Sequence, residues 1–175
     1  ADYYNGNISF PHKNTYEIFG LGSEEIHQDK AFQVYKGKLD FVFTSPPYFA
    51  AEGYSEDVTQ SYLKFPTYAS WRDHFLKTTL QTAVDRLKPG RRLCWNIADV
   101  ALGSKMLPLQ VETNKLVESM GLEYKGFLKM VLATSPGGSK TTEEGVPTTK
   151  NFCRINGKTR KYEPILMFWK PDPNQ

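Results

Sequence analysis

The chain has 175 residues, a length typical of one domain with its own hydrophobic core. Hydrophobic residues make up 39% of it and charged residues 23%, an ordinary balance for a globular protein. The 22 Lys and Arg residues against 19 Asp and Glu residues give a net charge of +3, too small to imply nucleic-acid binding by itself. No apolar run approaches the roughly 18 residues of a membrane-spanning helix. The first ten residues lack the layout of a signal peptide, so we expect a cytoplasmic protein.

The first third of the chain predicts a strand, a helix and a second strand before a long loop. Residues 16–19 predict a short strand that enters a glycine turn. Apolar residues recur at helical spacing over residues 23–35. Residues 39–44 (LDFVFT) are almost continuously apolar, as expected of a strand covered on both faces. Residues 49–69 are polar and aromatic and predict a loop.

The clearest helix signal covers residues 70–87. Ser70 and Asp73 form a capping-box pattern at its start, and an apolar stripe follows. Pro89-Gly90 is expected to end it. The remaining elements are a strand over 91–100, a helix over 107–121, a strand over 122–134, a flexible basic loop over 135–161 and a last strand over 162–170.

Strands and helices alternate, and the last two strands can pair antiparallel. This order predicts a single α/β domain with a mostly parallel, Rossmann-like sheet and an antiparallel final strand. Ligands of such sheets bind beyond the carboxyl ends of the strands. Ser45–Tyr48 and Asn96–Asp99 follow two of these ends and are therefore candidate site segments. The two cysteines show no metal-ligand spacing and the histidines are scattered, so we expect no metal site.

Ser45-Pro46-Pro47-Tyr48 predicts a stiff, extended segment at the mouth of the apolar strand. Proline fixes φ and has no N–H, and the residue before a proline is pushed to an extended conformation. The carbonyl groups stay free as acceptors, Ser45 adds a hydroxyl, and Tyr48 is expected to expose its ring. This arrangement suits a planar group with an amino function, such as a nucleobase. The alternative is a proline-rich turn that only ends the strand.

The same segment resembles motif IV of the amino-methyltransferases, which carry Ser, Asp or Asn, then Pro-Pro, then Tyr or Phe after a sheet strand. RLKPGRRLCWNIADV and KYEPILMFWK resemble the segments that follow motif IV in those enzymes. The likeness extends from about Tyr16 to Lys170, and the residues around motif IV are most similar to phage and bacterial DNA-modification methylases. It implies a class I methyltransferase sheet in a bacterial or phage-infected cell.

The resemblance implies methyl transfer from S-adenosylmethionine to an exocyclic amino group of DNA, on N4 of cytosine or N6 of adenine. The target base is flipped out of the duplex. Ser45 and the carbonyl of Pro46 then accept hydrogen bonds from its amino group, Pro47 stiffens the segment, and Tyr48 stacks on the base. No covalent intermediate is needed, so neither cysteine is expected to take part. The target base, homo-oligomer formation and a restriction partner are left open.

For the cofactor, the resemblance places the turn after the third sheet strand near the adenine of S-adenosylmethionine. An ordinary turn with a helix cap at Ser23 is the alternative. The glycine-rich loop of the family is absent upstream of Ser45 and after residue 170, so we expect the chain to lack the first two strands and to carry the rear two-thirds of the catalytic domain. The candidate cofactor residues are Gly22, Ser23, Glu24, Thr44, Asn96 and Asp99.

Basic and aromatic residues in two segments are candidates for contacts with nucleic acid. A partly buried aromatic loop and a solvated basic loop are the alternatives. Two other functions also remain: the same chemistry on RNA, and a catalytically silent nucleic-acid-binding fragment. The candidate contacts are Tyr54, Lys64, Lys150, Arg154, Lys158, Arg160 and Lys161.

Overall fold

The computed structural model describes residues 17–49, 57–132 and 151–174. None of the helices within these ranges is long and apolar enough to cross a bilayer. A 3-10 turn (Ile26–Gln28) precedes the first helix, and a π-helical segment (Trp71–Leu76) joins α3 to α4. The other elements are α1 (Lys30–Gln33), β1 (Leu39–Thr44), α2 (Ser61–Lys64), α3 (Tyr68–Ser70), α4 (Lys77–Arg86), β2 (Leu87–Asn96), β3 (Val100–Leu102), β4 (Lys105–Leu107), α5 (Leu109–Ser119), β5 (Glu123–Val131), β6 (Phe152–Ile155) and β7 (Lys158–Lys170).

The main sheet is mixed and has the strand order β1-β2-β7-β5, with β6 paired to β7. β1 and β2 are parallel, and β7 runs antiparallel to both β2 and β5. It follows that β1, β2 and β5 point the same way and that β7 alone opposes them within this order. The predicted α/β class with an antiparallel final strand is confirmed.

One face of the sheet carries the hydrophobic core. α4 packs on β2 and α5, while α5 also packs on β5 and β7. The register aligns Val42 of β1, Leu93 of β2 and Phe168 of β7, so that these side chains share the helix-covered face. Leu93 and Phe168 are fully buried there, together with Trp95, Leu80 and Leu109 among others.

The opposite face of β1 is open in the described part of the chain. Phe41 and Phe43 are 56% and 53% exposed, although Val42 between them packs against the core. The expectation that β1 is covered on both faces is therefore wrong for these residues. The helices of the described ranges pack on the Val42 side, and alternation turns the two phenylalanines away from them.

The long helical segment begins earlier than its sequence signal predicts. Thr67 caps α3, since its hydroxyl accepts from the backbone N–H of Ser70 at 3.1 Å. Asp73, the expected capping-box partner, instead pairs with Arg72. Backbone angles stay helical through the π segment into α4. The helix ends at Arg86, and β2 begins before Pro89, with Gly90 at a φ of 69°.

Several predicted boundaries differ from the structure for local reasons. No strand is formed over 17–19, and the predicted helix over 23–35 is divided because the side chain of Asp29 caps α1 and interrupts the chain after the 3-10 turn. The predicted loop over 49–69 contains α2 and the start of α3. The described end of the predicted loop over 135–161 is a β6–β7 hairpin, whose Asn156-Gly157 turn has φ values of 49° and 76°.

An ion pair joins the turn before the 3-10 segment to α2. Lys64 Nζ lies 3.0 Å from Glu24 Oε1, and it also pairs with Glu25. Glu24 is only 8% exposed, whereas Glu25 is 45% exposed on its side chain. A Cβ at Gly22 would lie 2.8 Å from Glu24 Oε2, so the absence of a side chain at Gly22 lets Glu24 fold back over the turn.

We expect Lys64→Ala to lower the free energy of unfolding by about 1–3 kcal/mol, because it leaves the buried Glu24 carboxylate without its cation. The matched change Lys88→Ala removes a lysine paired with Asp40, whose side chain is 63% exposed, and we expect a clearly smaller loss because solvent screens this pair. Urea denaturation followed by circular dichroism measures both changes. Equal losses would contradict a special role for the Lys64–Glu24 pair.

Candidate functional site

The Ser45–Tyr48 segment leaves the carboxyl end of β1, at the edge of the sheet where β2 also ends. Thr44 and Trp95 are register partners, so Ser45 and Asn96 are the next residues on each strand. Asn96 is 2% exposed, and its Nδ2 donates a hydrogen bond to Ser45 Oγ at 3.2 Å. Two segments predicted separately from the sequence are thus brought together by a side-chain contact.

Strand β7 adds a residue that the sequence did not identify. Because β7 is antiparallel to β2, its register places Ile165 beside Asn96, and Glu163 lies two residues earlier on the same face. Glu163 Oε2 accepts from Asn96 Nδ2 at 3.2 Å and from Tyr48 Oη at 3.2 Å. We refer to Ser45, Tyr48, Asn96 and Glu163 as the Glu163 network.

Tyr48 is packed inside the protein rather than exposed. Only 7% of its surface is accessible, and both Tyr48 and Phe49 belong to the core cluster. Phe49 in turn packs against Tyr68 and Trp71, with ring centroids 5.8 Å away in each case. The expectation of an exposed ring at the mouth of β1 is therefore wrong. The Tyr48 hydroxyl reaches Glu163 while the ring lies in the apolar interior.

The acceptor side of the Asn96 side chain has no partner among the described residues. Its Oδ1 atom is buried and makes no hydrogen bond there. The orientation of the amide follows from its neighbours, since a carboxyl oxygen of Glu163 requires a donor and thus selects Nδ2. Asn96 consequently gives both of its N–H groups to Ser45 and Glu163 and keeps one buried acceptor for a ligand with hydrogen-bond donors.

The predicted cofactor residues fall into two groups. Thr44 and Asn96 lie next to Ser45 at the strand ends. Ser23 Oγ lies 3.3 Å from Thr79 Oγ1 of α4, and Glu24 is paired with Lys64. Asp99 Oδ1 accepts from the backbone N–H of Gln110 at 3.0 Å, near the start of α5. The second group thus makes contacts that stabilise the fold; its members are Gly22, Ser23, Glu24 and Asp99.

The residues predicted to contact nucleic acid lie in different parts of the chain. Lys64 has two carboxyl partners, and its hydrogen bonds to Glu25 and Glu24 raise the pKa of Lys64 above its ordinary value. Arg154, Lys158, Arg160 and Lys161 lie on the β6–β7 hairpin. Tyr54 and Lys150 lie outside the described residues.

The thiol of Cys94 lies within β2 and is 8% exposed. Burial raises the pKa of Cys94, which favours the thiol over the nucleophilic thiolate at neutral pH. Within residues 17–49, 57–132 and 151–174, no group of three or more His, Cys, Asp or Glu side chains is placed to hold a metal ion.

Two features near the site could have been found from the sequence. Asn156-Gly157 between β-prone residues is the strongest short hairpin signal, and the Gly103-Ser104 pair similarly joins β3 to β4. Glu163 carries a weaker signal: in a strand that alternates, it shares a face with Ile165 and Met167. Its partners, however, are 67 and 115 residues away in the chain.

No protein-family model and no curated protein matches the chain. Two crystal structures of TTHA0409 from Thermus thermophilus, a candidate DNA modification methylase, are similar to it. The selenomethionine form has a TM-score of 0.51 and 22% identity, over 81% of this chain and 50% of that one. The complex with S-adenosyl-L-methionine has a TM-score of 0.52 and 21% identity, over 83% and 54%. The chain spans about half the length of these structures and shares their α/β fold over that part.

Proposed function

We propose that the chain carries the target-base side of an S-adenosylmethionine-dependent DNA methyltransferase, which modifies N4 of cytosine or N6 of adenine. The observation that carries this proposal is the Ser45–Tyr48 segment at the carboxyl end of β1, tied to Asn96 and Glu163. That edge is the ligand-binding edge of such sheets. The fold shared with TTHA0409, which was crystallised with S-adenosyl-L-methionine, supports the proposal.

The residues of the segment suit the amino group of a flipped base. A serine hydroxyl has two lone pairs, and Asn96 occupies one of them at Ser45, so one acceptor site remains. The Pro46 carbonyl supplies a second acceptor, and the missing N–H groups of the two prolines leave no competing donor there. Two acceptors orient both amino hydrogens and aim the nitrogen lone pair away from the segment.

S-adenosylmethionine, when bound, supplies an electrophilic methyl group. As the amino nitrogen forms its bond to the methyl carbon, the bond from that carbon to the sulfonium sulfur would break and the thioether would leave. Positive charge then develops on the nitrogen, and Ser45 and the Pro46 carbonyl would stabilise it. The nitrogen afterwards releases one proton to solvent. Neither step requires a nucleophile from the protein.

We assign Thr44 and Asn96 to the methyl-donor side because they lie at the ends of β1 and β2, beside Ser45 in the chain or in the register. The buried Oδ1 of Asn96 fits an ammonium group, such as that of the methionine part of the cofactor. Gly22, Ser23 and Glu24 remain our candidates for the adenine end, with the Glu24 carboxyl already bonded to Lys64. Asp99 lines the same edge while it supports the start of α5.

In the full-length product of the gene that encodes this chain, we expect Pro46→Ala and Tyr48→Ala each to lower methyl transfer by about 10-fold or more. The first loosens the acceptor geometry, and the second removes a core ring together with the hydroxyl that bonds this end of the segment to Glu163. Transfer of tritiated methyl groups from S-adenosylmethionine to unmethylated duplex DNA measures both. Cys153→Ala is the control and should leave transfer unchanged. Unchanged transfer in both variants would show that the motif IV assignment is wrong.

Mass spectrometry of the nucleosides from the same reaction identifies the modified base. We expect N4-methylcytosine or N6-methyladenine from duplex DNA and no product from RNA under the same conditions. Label in RNA alone would assign the chemistry to an RNA methyltransferase. Since the chain spans about half of its structural neighbours, a silent fragment is the second candidate, and it predicts salt-sensitive DNA binding without methyl transfer.

The hairpin register divides the basic residues between two faces. Arg154 pairs with Thr159 and Phe152 with Lys161, which puts Arg154 and Lys161 on one face. By alternation along β7, that face is also the face of Glu163. Lys158 and Arg160 point to the other side. We propose that Arg154 and Lys161 contact the phosphates of DNA whose target base enters the site.

We expect Arg154→Ala and Lys161→Ala each to weaken binding to duplex DNA and to reduce the salt dependence of log K by about one unit. Lys158→Ala is the matched control, because this exposed lysine lies on the opposite face of the same hairpin. Fluorescence anisotropy over a series of salt concentrations measures all three. An equal effect of Lys158→Ala would contradict a one-sided interface.

A further inference from the structure

Glu163 joins the two ends of the Ser45–Tyr48 segment through one oxygen atom. At the Tyr48 end the contact is direct, with Oη donating to Oε2 over 3.2 Å. At the Ser45 end the contact passes through Asn96, whose Nδ2 lies 3.2 Å from both Glu163 Oε2 and Ser45 Oγ. Glu163 itself belongs to β7, between two paired strands of the sheet.

We propose that Glu163 is a positioning residue that holds both ends of the Ser45–Tyr48 segment for base capture, an inference that rests on the proposed methyl-transfer function. The two prolines make the interior of the segment stiff. Fixing its two ends therefore fixes the carbonyl of Pro46 and the hydroxyl of Ser45 relative to the sheet. A displacement of about 1 Å in such acceptors can cost as much as about 100-fold in rate.

The segment needs an anchor of this kind because its two prolines have no N–H groups of their own to donate to a neighbouring strand. Pro46 and Pro47 have no N–H, so the sheet ladder cannot continue through them. The described ladder of β1 with β2 indeed ends at Thr44 and Trp95. Side-chain bonds at Ser45 and Tyr48 replace the ladder at this point, and both lead to Glu163.

Glu163 also sets which way the Asn96 amide faces. With a carboxyl oxygen at 3.2 Å, the amide must present Nδ2, and its Oδ1 is left as the buried acceptor without a described partner. Without an acceptor at residue 163 the amide has no reason to keep this orientation. Asn96 would then be free to turn its oxygen towards Ser45 and to rotate that hydroxyl away from its position for the base.

Two substitutions at Glu163 distinguish the effect of its hydrogen bonds from the effect of its negative charge. Both hydrogen bonds end on the same oxygen, so the single carboxamide oxygen of Glu163→Gln can accept both, whereas Glu163→Ala accepts neither. We expect Glu163→Ala to lower kcat for methyl transfer by about 10-fold or more. Because the freed Asn96 amide no longer keeps its Oδ1 turned to the cofactor, we also expect KM for S-adenosylmethionine to rise. Glu163→Gln should stay within about 3-fold of the wild type.

Glu123→Ala is the control for loss of a carboxylate from the same sheet. Glu123 is a register partner of Trp169 on β7, and its side chain is 54% exposed. We expect it to leave kcat unchanged. If Glu163→Ala does not fold, Tyr48→Phe serves in its place, because it keeps the ring and removes the hydroxyl that bonds to Glu163. We expect it to lower kcat in the same direction.

Hydrogen–deuterium exchange of the peptide that covers residues 45–49 tests the anchor without reference to activity. We expect faster exchange in Glu163→Ala and wild-type exchange in Glu163→Gln and Glu123→Ala. If the wild type methylates neither DNA nor RNA while Glu163→Ala exchanges faster, the proposed function fails and the anchor stands. If the wild type is active and Glu163→Ala matches it in kcat and in exchange, the anchor is overturned.

Discussion

The site depends on the direction of β7. β1 and β2 are parallel, so their carboxyl ends coincide and bring Ser45 next to Asn96. β7 runs the other way beside β2, and its early residues therefore reach the same edge from within the sheet. If the strand beside β2 were parallel to it, the residue that reaches this edge of the sheet would be one of the last residues of that strand. The antiparallel strand instead supplies Glu163 from a position that is paired with Met130 of β5 and lies two residues before the β2 ladder begins at Ile165.

A second constraint comes from the chemistry of proline. Pro46-Pro47 presents carbonyl acceptors without a backbone donor of its own beside them. The same lack of donors prevents the sheet from holding the segment. The structure meets both demands with side chains: Asn96 holds Ser45, and Glu163 holds Asn96 and Tyr48. The ring of Tyr48 is 7% exposed in this arrangement, so stacking on a base requires movement of the groups that cover it.

The sequence predicted those parts of the fold that depend on local patterns. The apolar run of β1, the helical stripe before β2 and the stiff Pro-Pro segment are each encoded within a few residues. The partners of Ser45 and Lys64 depend on register and packing between distant segments, and a single sequence does not show them. Hydrophobicity also misled in one respect. Phe41 and Phe43 are apolar like Val42, yet only Val42 packs against the core of the described residues.

The residues proposed to bind the base and those proposed to bind the cofactor differ in their contacts. On the base side, Ser45, Tyr48, Asn96 and Glu163 are joined by hydrogen bonds to one another. On the cofactor side, Ser23, Glu24 and Asp99 bond to Thr79, Lys64 and Gln110, and these contacts stabilise turns and helix ends. Asn96 belongs to both sides, since its donors serve the base side and its buried Oδ1 is left for the other. If Asn96 moves when the cofactor of the proposed function binds, its hydrogen bond to Ser45 would transmit that movement to the base side.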